Sequence, residues 1–258
     1  MTLDVKTEPP ITTANSGFHP APSIPPLEAG ARLTRSEFER RYHAMPHVKK
    51  AELIEGVVYM PSPVRYNVHG QQTGKMSVWL GTYHAATPNT GFADNATLLL
   101  DPDNEPQPDV LLRLDVAVGG KSRVNAKGYL EGAPELVVEV AASTESYDMH
   151  DKLRAYRRNG VQEYIVWRVY DQQIDWFKLE AESYVPLLSD RSGVIRSQVF
   201  PGLQLDVKAM LKEDLAKVLV VLQKGLNAPE HKAFVRKLKK AKREKIGSNI
   251  ALRNVTPA

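Results

Sequence analysis

Leu136-Val137-Val138-Glu139-Val140-Ala141-Ala142 is a run of branched and small apolar residues with one carboxylate at its centre. Length and β-branching make it a buried strand. A lone carboxylate in such a strand must be neutralised, paired or bound to a metal. A second acid stands in a similar place: Asp109 ends Gln107-Pro108-Asp109, just before the apolar run Val110-Leu111-Leu112. Taken alone, Asp109 reads equally as a turn or cap carboxylate, and Glu139 as a charge paired with Arg or Lys on an edge strand. Together they say more. If the two strands pair, both acids meet at one end of a sheet and offer a hard cation one oxygen each, with a backbone carbonyl near Val140 and waters completing its shell. Such an ion orients a water and offsets charge growing on a phosphate.

Period-two geometry puts Glu139 on the face of Val137 and Ala141, opposite Val138 and Val140. Downstream, Asp148, Lys152 and Tyr156 fall at i, i+4 and i+8 on one side of a helix over 148–159, which Gly160 closes. Lys152 could bind a phosphate or position the attacking water. Its plain alternative is a surface pair with Asp148, worth at most ~0.5 kcal/mol. Glu52 on an early strand is a candidate third acid for the metal. His69, opening the next helix, is a candidate phosphate contact or acid–base group. Phosphate loops, dinucleotide fingerprints, nucleophile elbows and H-E-x-x-H are absent, and with no Cys thiol chemistry is excluded.

The rest of the chain frames these residues. At 258 residues, 42% hydrophobic and 25% charged, it can bury an ordinary globular core. Residues 1–30, with six prolines, read as a flexible leader. Thr34-Arg35-Ser36-Glu37 reads as a capping box opening a helix that pairs Phe38 with Tyr42 and stops by Pro46. Residues 51–60 form a strand or hairpin around Gly56, and Pro61-Ser62-Pro63 breaks it. Strands follow at 96–100, 109–114, 135–142, 161–169, 174–179, 184–188 and 203–207, with 115–133 as a surface excursion and 209–226 as an amphipathic helix. This order predicts an α/β (α+β) domain with a central mixed β-sheet flanked by helices over 31–208, a helical extension over 209–246 and disorder over 247–258.

The net charge of +4 is unevenly spread: residues 231–258 hold nine basic residues and one acid, a net of +8, leaving −4 for residues 1–230. That basic helical extension reads either as a handle for nucleic acid or as a solvated helix. No apolar run is long enough to span a membrane, and the N-terminus lacks a signal-peptide pattern, so a cytoplasmic protein with no membrane partner is expected.

Glu52-Leu53-Ile54-Glu55-Gly56, Pro61-Ser62-Pro63, His69, Pro108-Asp109, Glu139-Val140 and Asp148-x-x-x-Lys152-x-x-x-Tyr156-x-x-x-Gly160-Val161-x-Glu163-Tyr164 occur in this order. The ordered set resembles the Uma-type restriction endonuclease family of the PD-(D/E)XK phosphodiesterase superfamily, over roughly residues 32–208. The resemblance implies a restriction-endonuclease-like core and hydrolysis of DNA with Mg²⁺, or Mn²⁺ in its place. It assigns catalytic roles to Asp109, Glu139 and Lys152, metal ligation to Asp109 and Glu139, and the early acidic position to Glu52; with the residue reading, the expected site has Asp109, Glu139, Val140 and Glu52 at the metal and His69 and Tyr156 at the substrate. DNA is the implied partner, and a homodimer is open because many nucleases of this fold cut one strand per subunit. One position departs from the superfamily pattern: two residues after the acid, where a lysine usually stands, this chain has Ala141, and Lys152 on the next helix takes the role. Two other readings stay open, a non-catalytic nucleic-acid-binding protein and a phosphoesterase with another substrate.

Overall fold

The computed structural model describes residues 24–60, 63–142 and 147–253, with side chains to residue 247. Its centre is a six-stranded sheet. The elements in chain order are α1 (Arg35–His43), β1 (Glu52–Ile54), β2 (Val57–Tyr59), α2 (Gln71–Ala86), β3 (Thr90–Asp94), β4 (Leu98–Leu99), β5 (Val110–Leu114), β6 (Arg123–Val124), β7 (Leu130–Glu131), β8 (Leu136–Ala141), α3 (Leu153–Asn159), β9 (Glu163–Arg168), β10 (Gln173–Glu180), β11 (Ser183–Pro186), β12 (Val194–Arg196), β13 (Gln204–Asp206), α4 (Val207–Leu211), α5 (Leu215–Asn227) and α6 (Pro229–Arg253). The sheet order is β11-β10-β9-β8-β5-β3. β8 and β9 run parallel, and every other neighbour is antiparallel. The parallel pair needs a crossover, and α3 supplies it.

β8 is central, buried at all six positions, which explains its near-continuous apolar run. One sheet face packs Val110, Leu112, Val138, Val140, Ile165 and Trp167 against Met76, Trp79, Leu80 and Tyr83 of α2 and Val218 and Leu222 of α5. Trp79 meets Trp176 edge to face at 5.7 Å, and its indole N–H donates to the Gln204 carbonyl at 2.9 Å. The other face packs Leu111, Val137, Ala141 and Val166 against Tyr156 and Tyr164. The β1–β2 hairpin turns on Glu55 and Gly56, both at positive φ (52° and 72°), and covers a third cluster around Phe38, Leu53 and Val58.

Several expectations change. The capping box does not form: Thr34 makes no side-chain cap bond, and Glu37 turns to Arg40 and Arg41 instead. The leader does not extend to residue 30, since Leu27 is buried and the Gly30 amide donates to the Val58 carbonyl; residues 1–23 lie outside the described residues, as do Pro61 and Ser62 of the expected break and residues 254–258 of the expected disorder. Residues 247–253 are helical, continuing α6. The helix expected over 209–226 is interrupted at 212–214, where Glu213 sits at φ 63° and Asp214 caps α5 by accepting from the Lys217 amide at 3.0 Å. Nor is this region an appendage, because Met210, Val218 and Leu222 belong to the main core. Edge strand β3 was not anticipated. Its Thr-Gly-Phe-Ala-Asp sequence has little β propensity, and pairing with β5 holds it.

Gly202 joins the body to the helices that follow. It adopts φ +90°, and a Cβ there would lie 2.7 Å from the His231 Cβ and 2.8 Å from the Gly225 carbonyl oxygen. Gly202→Ala should lower stability by about 2–4 kcal/mol, from left-handed strain plus displaced backbone. Calorimetry should show Tm falling by roughly 5–15 °C.

Glu105 gives a pH-dependent prediction. Its backbone bridges Leu53, but its Oε2 is buried without a hydrogen-bond partner among the described residues. Burial, helped by the Glu39 charge, pushes its carboxyl up to about 8. A carboxyl raised in the folded state holds its proton there, so its stability contribution is full below pH ~4.5 and is lost as pH rises to 8. Glu105→Gln should therefore stabilise the protein at pH 9, by on the order of a few kcal/mol, and change little at pH 4.5. Denaturant melts at the two pH values check this.

Candidate active site

The register Val110↔Val138, Leu111↔Val137 and Leu112↔Leu136 places Asp109 opposite Glu139 one step beyond the last pair. Directly opposed residues share a sheet face, with Cβ atoms roughly 5 Å apart. The structure ties them closely: the Val140 amide, next in chain to Glu139, donates to Asp109 Oδ2 at 2.8 Å. Both acids are 3% exposed. Glu139 lies on a central strand, so the edge-strand reading fails, although a lysine does pair with it.

That lysine is Lys152. Its Nζ lies 3.0 Å from Glu139 Oε1, 3.1 Å from Glu52 Oε1 and 3.5 Å from Asp148 Oδ1. It is buried, so the surface-pair alternative is wrong in kind. Burial alone would strip the ammonium of its proton. Glu139, then Glu52 and Asp148, instead hold its pKa well above the ordinary value. Glu139 is pushed up as well: burial raises it most, Lys152 opposes, and Asp109, Asp148 and Glu52 add to the rise. Burial also works against an ionised Asp109, yet the His69 hydrogen bond and the charges of His69, Lys50 and Lys152 keep its pKa below the usual carboxylate value.

The remaining candidates fall around this pair. His69 Nε2 is 3.3 Å from Asp109 Oδ2, and a quarter of its side chain is exposed, at the mouth of the site. Glu52 holds its place by accepting the Gln107 amide at 2.7 Å. Tyr156 is fully buried, and its hydroxyl donates to Glu139 Oε1 at 2.7 Å. The expected substrate contact is therefore a positioning group for the carboxylate. Glu55 stands apart and pairs with Arg158 at 2.8 Å.

Two helices deliver these side chains, and each begins with a π-helical turn: Tyr66–Gly70 carries His69, and Asp148–Lys152 carries Lys152. Such turns widen the helix and are common at functional sites. Ala141 packs with Tyr156 and Tyr164, where a lysine side chain would be buried among hydrocarbon and rings.

Sequence reading gave Asp148 no role beyond pairing with Lys152, whereas the structure makes it a fourth buried carboxylate of the cluster, with Asp109, Glu139 and Glu52. Tyr147 was missed. Its ring lies 5.2 Å from Lys152 Nζ and, tilted, 4.0 Å from that of Tyr59, and its hydroxyl is buried without a hydrogen-bond partner among the described residues. Its adjacency to Asp148 was the available signal.

The donor set suits a hard cation. Asp109 Oδ1 and Glu139 Oε2 have no hydrogen-bond partner among the described residues, while Asp109 Oδ2 and Glu139 Oε1 are fixed by Val140, His69, Lys152 and Tyr156. Among the described residues no three His, Asp or Glu side chains form a ready cage. Mg²⁺ does not need one, because it takes one or two carboxylates and keeps its waters.

No curated protein matches this chain. Among solved structures, a nuclease-titled protein of Anabaena variabilis ("putative nuclease belonging to DUF820") superposes with TM-score 0.50 at 11% identity, over 67% of this chain and 96% of that one. That likeness shows the fold, a mixed sheet flanked by helices. A family model described as "Putative restriction endonuclease" matches residues 35–208, the span that carries every residue of the site. With more than half of its length matched, the chain belongs to the Uma2 family.

Proposed function

We propose that this protein is a metal-dependent endonuclease that hydrolyses DNA phosphodiester bonds at the Asp109–Glu139–Lys152 site. One observation supports the reading: a buried lysine on Glu139 Oε1, with Asp109 opposite Glu139 across the β5–β8 pair and one oxygen of each acid without a hydrogen-bond partner among the described residues. The family description and the nuclease title of the structural neighbour agree with it.

Mg²⁺, or Mn²⁺ in its place, would be held by Asp109 Oδ1, Glu139 Oε2 and the Val140 carbonyl, with Glu52 supporting the site through Lys152. When bound, the ion supplies an acidified water and charge for the scissile phosphate. The chain's own groups prepare the rest. His69, with the charges of Lys50 and Lys152, keeps Asp109 ionised, and the Val140 amide fixes its Oδ2. Tyr156 and Lys152 fix the rotamer of Glu139. Lys152 cannot serve as a base, because three carboxylates hold its proton. Its part is electrostatic, a fixed positive charge beside the phosphorane in a site of low dielectric. His69, partly exposed beside Asp109, would reach a phosphate oxygen by exchanging one of its contacts to Asp109 and Thr73 for it. The test is conversion of supercoiled plasmid to nicked or linear forms. Conversion should require Mg²⁺ or Mn²⁺ and stop in EDTA. Intact binding to duplex with no cleavage of double- or single-stranded DNA would overturn the proposal.

A further inference from the structure

The strongest charge feature outside the site is α6. Lys232, Arg236, Lys239 and Arg243 follow at i, i+4, i+7 and i+11 and are all exposed. At 1.5 Å per residue they form one row roughly 17 Å long. Lys237, Lys240 and Lys242 flank it, also exposed. Against them Glu244 reaches Lys240 at 3.7 Å, and none of the four residues in the row has an ion-pair partner among the described residues. Like charges at i, i+4 work against a helix. A surface that served solubility alone would intersperse the two signs. Here they are segregated.

The opposite side of α6 is occupied. Leu238 is buried, Phe234 packs on the main core, and His231 is buried against Thr87 at 2.9 Å. Lys245 Nζ donates to the Val116 carbonyl at 2.9 Å, which fixes the far end of the helix beside the segment that follows β5. Asp109 lies before the other end of β5. The five residues of β5 separate the two places by roughly 17 Å. The cationic row and the carboxylate site are thus at opposite ends of the sheet.

We propose that this face of α6 is a second nucleic-acid surface, holding a duplex by its phosphates away from the carboxylate site. Over 17 Å a duplex carries about ten phosphate charges, so four cations in a row meet a dense counter-charge. An anionic membrane is the lesser fit, because interfacial helices need a free apolar face and this one has docked its own. The preference for nucleic acid over other polyanions rests on the endonuclease reading. The division of labour has an electrostatic reason: without metal, the four acids around Lys152 and His69 repel phosphate, and only a remote cationic surface can retain DNA.

The test is anisotropy of a labelled 30-base-pair duplex with the full chain in EDTA, so that neither metal nor turnover enters. Wild type is compared with a variant carrying K232Q, R236Q, K239Q and R243Q. Four phosphate contacts predict that the slope of log Kobs against log salt becomes shallower by about 3.6 in the variant. Affinity near 0.1 M salt should fall at least tenfold. A charge-preserving variant (K232R, R236K, K239R, R243K) should keep the wild-type slope. Equal slopes and affinities for wild type and the glutamine variant would overturn the proposal. So would binding to phosphatidylglycerol vesicles with none to duplex. Loss of cleavage with this binding intact would instead count against the endonuclease reading alone.

Discussion

Lys152→Met should both unfold and silence the protein more than any other single change at the site. The ammonium stands within 3.5 Å of Glu139, Glu52 and Asp148, all buried. Removing one partner of a buried ion cluster leaves charge uncompensated, at about 3–5 kcal/mol. The carboxylates respond by taking up protons, so the loss should be largest at alkaline pH and shrink towards pH 5. Denaturant melts of Lys152→Met at pH 5 and pH 9 check the sign. A double variant with Glu139→Gln should lose less than the two single losses combined, because the glutamine removes the charge that the lysine had balanced. Where folding is retained, cleavage should still fall by on the order of 10²–10³, the usual effect of losing one fixed transition-state charge.

Asp109→Ala and Glu139→Ala carry the other large effect. Each removes one of the two open carboxylate oxygens and should abolish tight Mn²⁺ binding in a titration followed by electron paramagnetic resonance. Cleavage should drop by about 10³ or more. Asp109→Ala frees the Val140 amide and leaves His69 without its acceptor. Glu139→Ala leaves the Tyr156 hydroxyl and one bond of Lys152 unmet. Both should lose about 1–3 kcal/mol from unpaired buried groups. Glu139→Gln should stay closer to wild type in stability, because its amide oxygen still accepts from Tyr156, yet be equally inactive. That separation of fold from chemistry distinguishes a catalytic acid from a structural one.

The sequence disclosed the site better than its surroundings. A carboxylate inside Leu136–Ala141 has few physical explanations, and the parity of the strand puts Glu139 on the Val137–Ala141 face, where Tyr156 and Lys152 meet it. Register was not legible, since strands of this length can slip by two residues without changing face. Pairing of Val110 with Val138 is a tertiary outcome. Tyr156 was read as a substrate contact because periodicity reports a face and not a depth. A surface pair of Asp148 with Lys152 stays an alternative in the sequence because an i, i+4 pair is usually solvated, and the burial of both is a tertiary outcome. Edge strand β3 and the break at 212–214 were hidden for a common reason: weak local preference overridden by pairing and by the Asp214 cap.

The measurement that bears most directly on the central claim is cleavage of supercoiled plasmid by wild type and Glu139→Gln, purified side by side, with Mg²⁺ and with EDTA. The account predicts Mg²⁺-dependent conversion by wild type and none by the variant at the same concentration, with both proteins folded. Equal conversion by the two, or conversion by wild type that persists in EDTA, would contradict it.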